Sequence, residues 1–451
     1  MLRTTEHLRS NFLLAYPIML SMLGQVMTSV ADTVMIGWTG STPLAAAAFA
    51  NTFFNIPLFF CVGISYAITP LVAKAIGENN TSDAVAVLRH GLIINLTAGI
   101  LVTGFIFSIR PLMPFMGQPD EVVQLALPYL DIIAPAIIPT MLFQTFRQFT
   151  EGLHHTRVAM VIVILSDLLN IVLNYLLIFG YAGFPELGLN GAGWATLISR
   201  IFMGVSMAWY VWAHSDFRVY RQGFSFGKYS RSLTSKMLHI GIPAGTQFIF
   251  EAGAFGFSSI MMGWIGTIPL AAHHIALNLA TISYMTTSGM GAAATIKVGY
   301  FLGKRDKPNM RRSAFIMFAM AAGIMAIWAG IFLVGRFYLP SLYNEEIHVV
   351  QMAASLMIIA AFFQLSDGVQ VVCAGALRGL QDVKIPSVLI FCAYWVISLP
   401  IGGLLAFQFE MGAEGIWIGL LSGLTITAVA MVYRFHKLSE KLSFPPPIDG
   451  I

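Results

Sequence analysis

Asp32 stands in TSVADTVMIGW (28–38), near the outer end of a stretch from Phe12 to Trp38 that carries no other ionised side chain. An aspartate at such a depth in a bilayer costs about 2.5–3.5 kcal/mol on insertion scales, so its retention points to a use for the charge. Ser21, Gln25, Thr28 and Asp32 recur at i, i+4, i+7 and i+11, one face of a helix. Gln247, Glu251, Ala254 and Ser258 repeat that spacing with the carboxylate moved. FFQLSDGVQVVCAG adds Asp367, with Phe363 and Gln370 on its face, and SDLLNIVLNYLL places Asp167, Asn170 and Asn174 together. Acids and amides sunk in apolar helices suit the binding and release of a proton, a hard cation such as Na+, or an organic cation.

Counting along each helix from the nearest loop, Asp32, Asn174 and Thr196 sit about 6–9 residues below the outer surface, so they are expected to converge. Glu251 and Asp367 lie nearer mid-membrane, where a carboxylate pair could hold one proton, one Na+ or a cationic drug. Arg200 reaches the depth of Asp167 from the next span, so an ion pair that neutralises both competes with a proton relay. Asp131 has no evident partner. Lys297 is close enough to the inner end of its span to snorkel, and adjacent His273 and His274 point about 100° apart and read as packing residues rather than metal ligands.

These side chains need helices to hold them. Of 451 residues, 57% are hydrophobic and 10% charged, and the mean hydropathy is +0.76, which excludes a water-soluble globular protein. Twelve stretches are long enough to span: 12–38, 44–74, 87–109, 122–147, 158–180, 190–213, 236–264, 270–301, 312–335, 348–377, 386–408 and 413–434. The net charge of +4 sits in short links rather than in a patch for nucleic acid. Arg3, Arg9, Lys74, Arg89, Arg157, Lys228, Lys304, Arg378 and Lys437 exemplify the links on one side, whereas those on the other hold only Arg110 and Arg336. That bias places both termini in the cytoplasm, with the plasma membrane, a bacterial inner membrane, as the expected location. Cys61, Cys373 and Cys392 all lie in apolar stretches, so no disulfide framework is implied.

Shifted against itself by 226 residues, the chain aligns Pro17 with Pro243, Gly37-Trp38 with Gly263-Trp264, Gly40 with Gly266, and Pro43-Leu44-Ala45-Ala46 with Pro269-Leu270-Ala271-Ala272. Gly63, Gly77, Arg110 and Pro114 likewise meet Gly289, Gly303, Arg336 and Pro340. An even number of spans per copy makes the repeats parallel. The expected fold is therefore an all-α integral membrane protein of twelve transmembrane helices in two six-helix bundles. Residues 1–213 form the first bundle, 214–235 a cytoplasmic linker, 236–436 the second bundle and 437–451 a tail. A site between such bundles can open to one side and then the other.

No G-x-x-x-x-G-K-[ST] phosphate loop is present, so the energy for transport must come from an ion gradient or from the substrate's own. A lipid-linked oligosaccharide flippase would share the architecture but should line its cavity with Arg or Lys. A membrane-embedded hydrolase would need a Ser/Lys, paired-Asp or His-x-x-x-His set at one depth, and none is clear.

SVADTVMIGWTG, PLAAHHIALNL, GAAATIKVGYFLG, FFQLSDGVQVVCAGALRGLQD and LGLNGAGWATLISR make the chain resemble the multidrug and toxic compound extrusion (MATE) transporters, in their NorM-like branch, over essentially all twelve spans. The resemblance implies a monomeric exporter of organic, often cationic, amphipathic compounds, coupled to inward Na+ or H+ and needing no other cofactor. Carried over residue by residue, it makes Asp32 the first coupling acid, with Asn170, Asn174 and Thr196 as companions, and Glu251 and Asp367 the second pair. The branch often has a tyrosine one turn before the second acid; here that residue is Phe363, which lacks the hydroxyl.

Overall fold

The computed structural model describes residues 4–225, 227 and 229–444; Arg3, Lys228 and residues 445–451 of the expected tail lie outside them. The described chain is helical, without strands, and makes twelve long helical passes. They are α1 (Thr4–Gly37), α2 (Ser41–Gly77), α3 (Thr81–Phe115), α4 (Asp120–Gly152), α5 (Thr156–Phe179), α6 (Leu189–Ala213), α7 (Arg231–Ile265), α8 (Thr267–Gly303), α9 (Lys307–Gly335), α10 (Ile347–Gly379), α11 (Lys384–Gln408) and α12 (Gly412–Lys441).

Among the described residues, ten of the twelve are long and apolar enough to cross a membrane by length and composition; α6 and α8 are more polar than the rest. The reason shows in α8, where Ser283, Thr286, Thr287, Gly289, Gly291 and Thr295 are buried against protein rather than lipid. The first pass also starts at Thr4, eight residues before its apolar stretch, and there His7 and Asn11 are buried and bond to Asn309 Oδ1 and Ser313 O.

By Cα proximity the chain forms two compact units: Leu20–Val72 with Asn80–Ile249, and the described parts of Met1–Met19, Ala73–Asn79 and Phe250–Ile451. In the first, the segment after α6 docks on α3, with the Arg89 guanidinium donating to Ser225 O (2.9 Å) and Ser230 N to His90 Nε2 (2.9 Å).

In the second unit α8 and α10 cross closely. A Cβ on Gly291 would come 2.9 Å from Val371 O, one on Gly375 would collide with the carbonyl of Gly291, and Thr295 Oγ1 donates to Gly375 O at 2.8 Å. The glycines of GMGAAA (289–294) are thus close helix contacts.

The repeat survives in backbone detail. Gly40 and Gly266, 226 residues apart, take φ values of +129° and +157° where α2 and α8 begin. Asn79 (φ 56°) and Arg305 (φ 57°) are a second such pair, both in the left-handed region that side chains disfavour. The next residue of each copy caps the following helix: Asn80 Oδ1 accepts from Asp83 N, and Asp306 Oδ1 from Asn309 N, both at 3.1 Å.

Candidate functional site

The first unit holds Asp32 on α1, Asn170 and Asn174 on α5, and Thr196 on α6. Asn170 and Asn174 lie one turn apart, so the helix presents both amides to the same neighbours. Asn174 Nδ2 donates one proton to Asp32 Oδ1 (2.5 Å) and the other to Asn170 Oδ1 (3.2 Å). Asn170 Nδ2 in turn donates to Ser199 Oγ (3.5 Å), and Ser199 Oγ to the Thr196 carbonyl (2.9 Å). Ser166 Oγ fastens α5 to α6 through Ser199 O at 2.8 Å. Both protons of Asn174 Nδ2 are committed, yet its Oδ1 is buried with no hydrogen-bond partner. The site therefore offers a carboxylate and, on the asparagine that donates to it, a buried amide oxygen without a donor, both hard ligands.

Thr196 enters through its carbonyl rather than its hydroxyl. Ser166 and Ser199 were not foreseen, although Ser166 precedes Asn170 by one turn and Ser199 follows Thr196 by three residues. Tyr129 of α4, buried and engaged by Asn51, feels the charge of Asp32.

The expected contact between Asp167 and Arg200 is absent: among the described residues, no ion pair within 4.0 Å joins them. Arg200 turns Nη1 to Met203 Sδ (4.0 Å), and its charge reaches Asp32 as well as Asp167. Asp167 instead approaches Thr28 and Gly24, where a Cβ on the glycine would come 3.0 Å from Oδ2. Asp131 does have a partner, since Arg110 grips both of its oxygens at 2.7 and 2.8 Å. That pair is partly exposed, near the end of α3 where the sequence marked an outer loop.

The second unit brings Glu251 of α7 and Asp367 and Gln370 of α10 together. Gln370 Nε2 donates to Glu251 Oε1 at 3.1 Å, and the two carboxylates are near enough for each other's charge to act. Phe363 is buried one turn from Asp367, against Trp417 (5.7 Å) and Phe255 (6.2 Å), so it walls the site with rings. Trp417 was missed because its apolar surroundings on α12 give no sign of its partner.

That partner is His273. Trp417 Nε1 donates to His273 Nδ1 at 3.1 Å, which fixes the imidazole proton on Nε2; Ser259 Oγ lies 3.1 Å and Ser258 Oγ 3.4 Å from that nitrogen. Both hydroxyls already donate to Phe255 O, so they accept from the ring. A second proton on Nδ1 would face an indole N–H, and the ring is thereby held neutral. His273 is buried and His274 exposed, as their spacing required. Lys297 is half-buried and donates to Ser10 Oγ at 2.6 Å rather than reaching an acid.

The sequence profile of the MatE family matches residues 17–176 and again 243–404, starts that lie 226 residues apart. The chain belongs to the MatE family. It is a transporter of that family rather than an enzyme, and a multi-pass membrane protein. Among relatives of this MatE chain, the Agrobacterium fabrum protein named probable multidrug resistance protein NorM is 32% identical over 97% of this chain and 95% of its own length. Its namesake from Rhizobium meliloti is 33% identical over 98% and 95%. The crystal structure of the eukaryotic MATE transporter AtDTX14 superposes with a TM-score of 0.87 at 20% identity, covering 97% of this chain and 98% of that one. This likeness establishes the MATE fold of two parallel six-helix bundles.

Proposed function

We propose that this MatE protein is a secondary multidrug exporter, exchanging cationic and amphipathic organic compounds for inward-moving Na+ or H+ by alternating access. It works in a bacterial inner membrane with both termini cytoplasmic. The observation that carries this reading is the unpartnered Asn174 Oδ1 beside Asp32, since an acceptor buried without a donor costs about 1–3 kcal/mol unless something positive meets it. A hard cation bridging the carboxylate and the amide oxygen relieves that cost, and a proton on Asp32 can donate to the same oxygen. Glu251 and Asp367 form the second acid site, one in which a coupling cation and a cationic drug compete for the same negative charge. The names borne by the two rhizobial relatives support multidrug export as the activity.

The driving force follows from charge. Each elementary charge moving inward gains about 2.3 kcal/mol per 100 mV of membrane potential. A flippase for lipid-linked oligosaccharides is less well supported, because the deep groups of both sites, Asp32, Glu251 and Asp367, are acids, and Arg147 and Arg110 are each paired with a carboxylate.

The test is accumulation of the fluorescent cation ethidium in everted vesicles, driven by an imposed Na+ gradient at clamped pH and then by a pH gradient without Na+. One gradient should drive accumulation in the parent, and Asp32→Asn and Asp367→Asn should each abolish it. Parental rates in both variants would overturn the coupling assignment.

A further inference from the structure

Helix α11 departs from α-geometry where it passes the second acid site. Pro400 has no N–H for the carbonyl of Val396, and its ring crowds that carbonyl. The preceding residues open into a π-helical turn, Cys392–Ser398. A wide turn of this kind carries an extra residue and so rotates the side chains that follow it by about 100°; such turns recur at functional sites.

The turn is fastened to α7 beside Glu251. Trp395 Nε1 donates to Phe250 O at 3.0 Å, and Phe391 packs on Phe250 with ring centroids 4.9 Å apart. Tyr394 is buried between these anchors, 5.9 Å from the Phe255 ring, and its hydroxyl donates to Gln370 Oε1 at 3.5 Å. The other end of that amide donates to Glu251 Oε1 at 3.1 Å. Both carboxylates, Glu251 and Asp367, lie near enough for their charges to act on the phenol, as does Tyr284.

We propose that Tyr394 is a positioning residue of the second cation site: its hydroxyl fixes the Gln370 amide so that the N–H end, not the oxygen, meets Glu251. Without the phenol, Gln370 Oε1 loses its donor, and the N–H on Glu251 alone is left to hold the amide in this orientation. The π turn is the device that brings the hydroxyl to this depth. The inference rests on the reading of Glu251 and Asp367 as a cation site.

The test uses full-length protein in proteoliposomes, with ethidium efflux driven by imposed Na+ or pH gradients of increasing size. Tyr394→Phe removes only the hydroxyl. It should raise the half-saturating coupling-cation concentration about fivefold, equivalent to about 1 kcal/mol, while the rate at saturating cation stays within a factor of two. Tyr394→Leu, which also removes the ring, should raise the half-saturating concentration at least as far and lower the rate at saturating cation. If Tyr394 only fills space, Tyr394→Phe will match the parent in half-saturation, and the proposal is overturned. Glu251→Gln, run in parallel, separates the two ideas. If it loses coupling while Tyr394→Phe is parental, only the role of Tyr394 falls; if it keeps parental coupling, the site reading falls and this inference with it.

Discussion

Asn174→Leu is the sharpest perturbation of the first site, because leucine keeps the branched shape of a fully buried asparagine, though with bulkier ends, while removing both its amide donor and its unpartnered oxygen. Two effects oppose each other. Loss of Oδ1 removes a neutral oxygen ligand from a bound cation, an interaction with a charged partner that contributes about 1.5–3 kcal/mol. Loss of the N–H on Asp32 Oδ1 leaves the carboxylate richer in charge, which favours cation binding by a smaller amount. The second effect is the lesser because a carboxylate has about four lone-pair sites, so the N–H on one oxygen and a cation on the other need not compete. The net expectation is a loss of about 1–2 kcal/mol, or roughly a 5- to 30-fold rise in the half-saturating Na+ concentration. Ethidium efflux from proteoliposomes over a series of imposed Na+ gradients at fixed pH reads this directly. Size-exclusion chromatography checks that the variant remains folded. A well-folded Asn174→Leu protein with parental half-saturation for Na+ would refute the assignment of Asn174 as an oxygen ligand.

Arg147 and Glu151, paired at 2.7 Å on α4 with side chains only 3% and 2% exposed, form a buried unit in which either charge alone is costly. Truncating one partner to alanine should destabilise by about 3–5 kcal/mol, whereas Arg147→Met with Glu151→Leu should cost much less, as a double-mutant cycle by thermal unfolding in detergent would show. Gly375→Leu should prevent recovery of monodisperse protein, because its side chain would enter the Gly291 backbone, while Gly323→Leu, with open space around it, should behave as the parent in size-exclusion chromatography. Asp131→Asn should leave ethidium efflux within twofold of the parent, since the partly exposed pair with Arg110 contributes at most about 1 kcal/mol.

The elements and their repeat were readable because apolar length and glycine or proline position are local signals. Gly40 and Gly266 mark equivalent turns, and both could be aligned before any coordinates existed. The convergence of Asp32 with Asn174 was readable from depth alone, as each lies at a similar count from its outer loop. Which polar atom meets which was not. Arg200 and Asp167 share a depth, but the rotation of α6 about its own axis decides their contact, and periodicity gives only a coarse rotation. Tyr394 was further out of reach. Its direction depends on a π turn, and a pattern read at 3.6 residues per turn places the side chain elsewhere.

The duplicated backbone carries unlike chemistry, and the residue pairs show how. Ser258 occupies the place of Asp32 in the second copy, Gln25 the place of Glu251 in the first, and His273 the place of Ala47. Where the first unit has an acid facing an amide, the second has Ser258 and Ser259 accepting from a neutral imidazole whose other nitrogen is held by Trp417. Each of those groups is satisfied, so that corner has no unmet charge to attract a cation. The acid of the second copy has moved seven residues back along its helix, two turns or about 10 Å. There it meets Gln370 and the charge of Asp367 instead of a pair of asparagines. A site of one carboxylate with amide oxygens suits a single small cation. A site of two carboxylates walled by Phe363, Phe255 and Trp417 suits a larger, softer one, because aromatic faces attract organic cations and exclude water. The duplication thus supplies two similar frames, with the carboxylate displaced by two turns between them.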